Sequence, residues 1–257
     1  QHNEHRILLS RILFWMEEAW FSGKGLFLLV TNYLLVAGVA ILFFFIWRER
    51  SRGWGASFAV FLSVWLLSWI QNDNMIWGFQ SQFVLAQLLP LMAFYFLHRA
   101  SQSNSHGGRW FAASATCGVM ALGSMANGVI TLPLLTLLAL ALRMNHRRVI
   151  VLGALSILGV FLYFHGYQAV GGHGSLTQSL KEIPEGVIDY MQVYLGGPFY
   201  FFLGENPLSL MFARIASVVL VVGAILCLQK ELSAPHRSSL ALAMLCFILY
   251  IGGSAFG

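Results

Sequence analysis

Apolar residues run in blocks along this chain, and polar residues gather in the gaps between them. Eight such blocks occupy approximately residues 25–47, 54–70, 77–97, 110–125, 128–142, 149–164, 208–228 and 239–256. A helix rising about 1.5 Å per residue needs ~20 apolar residues to cross ~30 Å of hydrocarbon. Several blocks reach that length with almost no charge, so the pattern predicts an all-α, polytopic transmembrane helix bundle of about eight spans. The blocks at 110–125 and 128–142 are short, and little more than Ala126, Asn127 and Gly128 joins them. They predict a tight helical hairpin that does not fully cross on its own.

Two gaps carry amphipathic patterns. In "RILLSRILFWMEEAWF", Ile7, Leu8, Leu9, Ile12, Leu13, Trp15, Met16 and Trp20 form a broad apolar stripe, with Ser10, Arg11, Glu17 and Glu18 mostly elsewhere. This predicts a helix lying in the membrane interface, its tryptophans at head-group level. The long gap at 165–207 begins with Gly171, Gly172 and Gly174. Leu176, Leu180, Ile183, Val187, Ile188 and Met191 then recur at near-helical spacing around Pro184. An aromatic re-entry, "GGPFYFFLG", closes the gap. A connection this long in a compact bundle is usually functional or a lid.

Composition agrees with a membrane protein. Hydrophobic residues make up 58% of the chain and charged residues 10%, and the mean hydropathy is +0.72. The sequence opens on Gln and stops inside the apolar run "IGGSAFG". Both ends therefore read as cut, with targeting information expected upstream. Cys117, Cys227 and Cys246 all fall in apolar runs, which predicts buried structural thiols rather than a disulfide framework. One domain, 1–257, is expected: an interfacial helix at 1–24, six spans over 25–164, a long loop at 165–207 and two further spans over 208–257.

Basic residues set the orientation. One set of gaps holds ten of the fifteen: Arg48, Arg50, Arg52, Arg99, Arg109, Arg143, Arg147, Arg148, Lys230 and Arg237. The other set holds four, Arg6, Arg11, Lys24 and Lys181, and Arg214 lies within a span. The first set is expected to be cytoplasmic, its short basic loops touching anionic lipid heads. Eight of ten acids fall on the opposite side. Residues 1–24, 71–76 and 165–207 thus share an outer surface.

Candidate chemistry gathers on that surface. His2, Glu4, His5, Arg6 and Arg11 form a polar knot at the start of the chain. Asp73 sits among amides, and Gln80, Gln82 and Gln87 enter the next block. Gln80 and Gln87 are seven apart, sharing a helix face with Phe83. Amides in lipid are costly unless paired, so that face should look into protein or a wet cavity. Either interhelical hydrogen bonding or a sugar- or phosphate-binding wall accounts for it. Asn127 reads as a cap at the hairpin turn or as a contact to substrate. Arg214 either snorkels outward or meets a phosphate or carboxylate inside the bundle. His2, His5, His165 and His173 lie on the same side, but no spacing matches a tight zinc signature.

The "HNEHRI…R" opening, Asn32 within "LLVTNYLL", "WGFQSQF" and "ANG" together resemble bacterial members of the GT-C superfamily of membrane glycosyltransferases. Relatives of this kind carry a first outer loop with interfacial helices and an early catalytic carboxylate. The present chain begins partway through that loop, so the resemblance places that acid upstream. It also implies an Arg- and Tyr-containing outer segment beyond residue 257.

The activity implied is inverting transfer of a sugar from a polyprenyl-phosphate donor to a saccharide or lipid acceptor. It would act at the outer face of the bacterial inner membrane. A carboxylate takes the acceptor hydroxyl's proton. Cations meet the charge that gathers on the departing phosphate, and Arg does so through its always-ionised fork. On this reading Arg6 and Arg11 face the phosphate, His5 helps them or donates a proton, and His2 is among the substrate-binding residues. Glu4 is a candidate base or an orienter of the histidines. Asp73, Gln80 and Gln82 contact sugar or acceptor. No cofactor, metal or nucleic acid enters the scheme. Two other readings stay open: a transporter or flippase of lipid-linked saccharides, and a non-catalytic envelope-assembly subunit. Transporters usually show an inverted repeat, and no convincing one is present. Head-group contact and helix capping account for the opening knot equally well.

Overall fold

The computed structural model describes residues 7–50, 55–66, 75–103, 105–166, 180–203, 206–233 and 238–254. All regular structure among them is helical. The helices are α1 (Leu8–Phe21), α2 (Leu26–Arg50), α3 (Gly55–Leu66), α4 (Ser81–Gln102), α5 (Gly107–Ala121), α6 (Thr131–Ala141), α7 (His146–Phe164), α8 (Pro184–Leu203), α9 (Pro207–Leu232) and α10 (Ser239–Ser254). Short 3₁₀ turns precede α4 at Gly78–Gln80 and α6 at Ala126–Ile130.

Each of the eight apolar blocks contains a helix. Among the described residues, four stretches are long and apolar enough to cross a membrane: Leu26–Glu49, Gly78–Gln102, His146–Phe164 and Pro207–Glu231. The others are shorter. α5 has 15 residues and α6 has 11, which makes them about 22 and 16 Å long. The expected short hairpin is present, turning through the Ala126–Ile130 segment.

α4 is the axis of the bundle. It is buried along most of its length, whereas the long stretches of α2, α7 and α9 bury little of theirs. Phe94, Leu97, Leu132, Leu135, Leu152 and Tyr250 lie in one core that joins α4, α6, α7 and α10. Val39, Leu42, Leu88, Leu91 and Leu240 join α2, α4 and α10 in a second. Tyr250 is wholly buried, and its hydroxyl donates to the Ala86 carbonyl of α4. The outward faces of α7 and α9 present Ile157, Leu158, Phe161, Val219 and Leu226, more than half exposed. Such faces suit lipid, which solvates leucine as well as a protein core does.

Glycines set the closest approaches. A methyl group on Gly128 would overlap the Ala121 backbone carbonyl, and one on Gly196 would overlap that of Ala213. These two contacts close the α5–α6 turn and the α8–α9 crossing.

Two expectations need correction. From Pro184 onward the amphipathic piece and the aromatic re-entry are one continuous helix, α8, running through Gly196, Gly197 and Pro198, whereas Leu180 and Ile183 precede it and Leu176 lies outside the described residues. Pro198 costs a backbone bond, but the tight seam against α9 holds the helix on either side of it. In α1 it is the polar side, not the apolar stripe, that packs against protein. Its buried residues are Ser10 and Glu17, while Leu8, Trp15 and Trp20 are each about 60% exposed. Polar residues face inward because they have work there: Glu17 accepts from the backbone N–H groups of Gly25 and Leu28 at 2.7 and 3.0 Å. It thereby caps the start of α2. The tryptophans remain free to meet lipid.

Candidate functional site

The two ends of the bundle differ in chemistry. At the end carrying α1, three polar seams tie the elements together. Ser10 and Ser81 hydroxyls meet at 3.3 Å, joining α1 to α4. The Leu9 N–H donates to the Gly123 carbonyl at 3.0 Å. Asn32, wholly buried in α2, donates to the carbonyls of Met75 and Trp77, both at 3.1 Å. That last seam unites Asn32 and the "WGFQSQF" segment, far apart in sequence. The Oδ1 of Asn32 and the Oε1 of Gln82 are buried and accept nothing from the described residues.

Two cavities open at this end. The larger, about 700 Å³, lies between α1, α5 and α7. Its walls are apolar, from Leu8, Leu9, Val119, Met120 and Leu162, and Arg11 is the one charged residue among those lining it. Gly159 lets α7 approach α6 and the residue that ends α5: a methyl group there would meet Leu132 and Leu122 at 3.1 and 3.0 Å. No carboxylate among the described residues pairs with Arg11.

The second cavity, about 500 Å³, is lined by Gln80, Gln87, Phe83, Met75, Leu66 and Tyr194, among others. The seven-residue spacing therefore does bring both amides and Phe83 to one hollow. Tyr194 stands beside Tyr190, ring centroids 6.2 Å apart. Partial burial, aided by Tyr190, raises the Tyr194 hydroxyl above the ordinary tyrosine value, so it stays a neutral donor.

The expected site residues separate into groups. His2, Glu4, His5, Arg6 and Asp73 lie outside the described residues. Arg11 lines the larger cavity and Gln80 the smaller, so the structure does not bring these two to one hollow. Gln82 is buried, 2% exposed, beside the Ser10–Ser81 seam. Asn127 caps nothing: it sits inside the 3₁₀ turn, whose leading residue Met125 makes no side-chain cap, and its Nδ2 donates to the Ser254 hydroxyl at 2.9 Å. Arg214 has a carboxylate partner, Asp189 of α8, at 2.9 Å. Of the thiols, Cys117 and Cys246 are buried and Cys227 is exposed. Among the described residues, no three His, Cys, Asp or Glu side chains gather as metal ligands would.

Sequence reasoning missed the densest polar cluster, at the opposite end. Glu49 of α2 accepts from Tyr95 and Arg99, both at 2.7 Å, and meets His98 Nε2 at 2.9 Å. His98 Nδ1 reaches the Ser239 hydroxyl of α10 at 2.8 Å, and Gln102 donates to the same oxygen. Arg99 also lies over the Trp110 ring of α5, 5.5 Å from its centroid. Tyr95, His98, Arg99 and Gln102 recur at i, i+3, i+4 and i+7 on one face of α4, a signal the sequence did carry. The cluster fastens four helices.

No protein-family model, curated protein or solved structure matches this chain.

Proposed function

We propose that this protein is a membrane glycosyltransferase of the GT-C kind. It would move a sugar from a polyprenyl-phosphate donor to a cell-envelope acceptor at the outer face of a bacterial inner membrane. The eight apolar helices would be its crossings or part-crossings, and the end carrying α1 would face outward. The observation that carries this reading is the apolar cavity between α1, α5 and α7, with Arg11 at its wall.

Such a cavity suits an isoprenoid chain with a charged head. The chain gains little by leaving lipid for Leu9 and Met120, since both surroundings are equally apolar. Affinity must come from the phosphate, and hydrogen bonds to a charged group contribute about 1.5–3 kcal/mol. Arg11 supplies one such partner, and Arg6 and His5 lie just upstream in the chain. In the transfer step the acceptor oxygen bonds to the anomeric carbon from the face opposite the phosphate. The carbon–oxygen bond to phosphate breaks, and polyprenyl phosphate leaves with the electron pair. A carboxylate accepts the acceptor's proton, for which Glu4 and Asp73 are the candidates on this chain. Gln80, Gln87 and Tyr194 offer the hydrogen-bonding wall that sugar hydroxyls need.

The test is release of polyprenyl phosphate from polyprenyl-phosphate-linked sugars by the full chain in lipid nanodiscs. Turnover that falls about tenfold or more in Arg11→Ala, equivalent to about 1.4 kcal/mol, supports the reading. An Arg11→Ala variant as active as the wild type contradicts Arg11's role. Wild-type protein that neither turns over nor binds any polyprenyl phosphate contradicts the function.

A further inference from the structure

The end of the bundle remote from α1 holds a third hollow, about 330 Å³, between the C-terminal end of α4 and the turn joining α6 to α7. Ser101, Ser103, Arg143, Asn145 and Arg148 are among its lining residues. We infer that it is a binding site for a phosphate-bearing anion, either an anionic phospholipid head or a free phosphate. The inference is independent of the transferase reading, since it concerns the opposite end of the molecule.

Three features point the same way. Arg148 lies against neutral neighbours. Its guanidinium carbon lies 5.5 Å from the Phe111 ring centroid, and its Nη2 sits 3.3 Å from where a methyl group on Gly107 would stand. No carboxylate among the described residues is within ion-pair distance of Arg143 or Arg148. A cation held in place without a counter-charge is a ready partner for a doubly bonded phosphate.

Arg143 occupies a left-handed backbone position, φ +52°. The Arg143 N–H donates to Leu140 and the Met144 N–H to Ala139, both at 3.0 Å, closing the end of α6 in a Schellman turn. Glycine fits that position with least strain. The chain puts an arginine there instead, beside the hollow.

The first turn of α7 compounds the imbalance. It carries His146, Arg147 and Arg148 and no acid, although the N-terminal end of a helix disfavours cations and attracts anions. Asn145 caps it by accepting from the Arg147 N–H at 2.9 Å. A bound phosphate would relieve this accumulation of positive charge. The volume is at the lower end for ligand cavities, ~300–1,000 Å³, which suits a head group better than a chain. Ile150 and Val151, exposed on α7 one turn further on, offer an apolar path for acyl chains.

The experiment uses the full chain in detergent micelles, titrated with short-chain phosphatidylglycerol, short-chain phosphatidylcholine and inorganic phosphate. The variants are Arg148→Gln, Arg143→Gly and Arg147→Gln. Arg143→Gly suits the left-handed backbone, so it removes charge without endangering the turn. Arg147→Gln removes the same charge from a residue that does not line the hollow. Wild-type binding of phosphatidylglycerol or of phosphate should weaken at least tenfold in Arg143→Gly and in Arg148→Gln, and less than twofold in Arg147→Gln. Binding of phosphatidylglycerol that inorganic phosphate does not displace assigns a lipid head; displacement assigns a free phosphate. Equal loss in all three variants, or none in the first two, overturns the site, as does equal affinity for phosphatidylcholine.

Discussion

Glu49 of α2 and His98 of α4 meet at 2.9 Å, 49 residues apart in sequence, at the end of the bundle remote from α1. The same carboxylate accepts from Tyr95 and Arg99, so one side chain gathers three donors. Its partner His98 passes the connection to Ser239 of α10. Charge thus fastens the helices where the apolar cores end.

Glu49→Gln should loosen this fastening. It keeps the shape but removes the charge that three donors address, at a cost of about 1–3 kcal/mol. The midpoint of thermal unfolding in detergent should fall accordingly. An unchanged midpoint would mean that water replaces the carboxylate without loss.

Gly128→Ala should be far more damaging than its size implies. The added methyl group would overlap the Ala121 backbone carbonyl, which no rotamer change can relieve, so the cost should reach about 3 kcal/mol or more. Gly108→Ala is the matched control. Nothing lies within 4 Å of a methyl group there, and the helical position should gain about 0.5–1 kcal/mol. Folded yield by size-exclusion chromatography separates the two. Equal yields would contradict the close α5–α6 turn.

Much of the fold was legible because lipid imposes a simple rule. Every apolar block became a helix, and the shortness of 110–125 and 128–142 foretold the hairpin. The spacing of Gln80, Phe83 and Gln87 foretold a shared face turned toward protein or a cavity, and all three line one hollow. Inward-facing groups were harder to read. Ser10 and Glu17 looked like the solvated side of α1, because an apolar stripe does not say whether protein or lipid covers it. Asn127 looked like a cap, and its partner Ser254 lies 127 residues away. The Glu49 cluster was read only as charge marking a side of the membrane: Tyr95, His98 and Arg99 share one face of α4, but the carboxylate they address lies on α2, about 50 residues away.

Glu17→Ala should detach α1 from the start of α2. Loss of a helix cap costs about 0.5–2 kcal/mol, and here two N–H groups lose their acceptor. α1 forms one wall of the larger cavity, so polyprenyl phosphate binding should weaken as well. Limited proteolysis near Ser22 should quicken in the variant. A cleavage rate equal to the wild type would show that the cap does not hold α1.

Orientation is open to direct measurement in cells. With Cys117, Cys227 and Cys246 replaced by alanine, a cysteine at Ser22 should react with a membrane-impermeant maleimide from outside. One at Ser105 should react only after lysis. Both positions are exposed in the folded chain. The reverse pattern would place the cavities on the cytoplasmic side.

The most direct measurement concerns the larger cavity itself. A polyprenyl phosphate carrying a photoreactive diazirine in its chain is bound to the full protein in nanodiscs, irradiated and mapped by mass spectrometry. Labels should concentrate on Leu9, Met120 and Leu162, and Arg11→Ala should reduce them about tenfold. Labels spread along the lipid-facing surface of α9, unchanged by Arg11→Ala, would contradict a binding site between α1, α5 and α7.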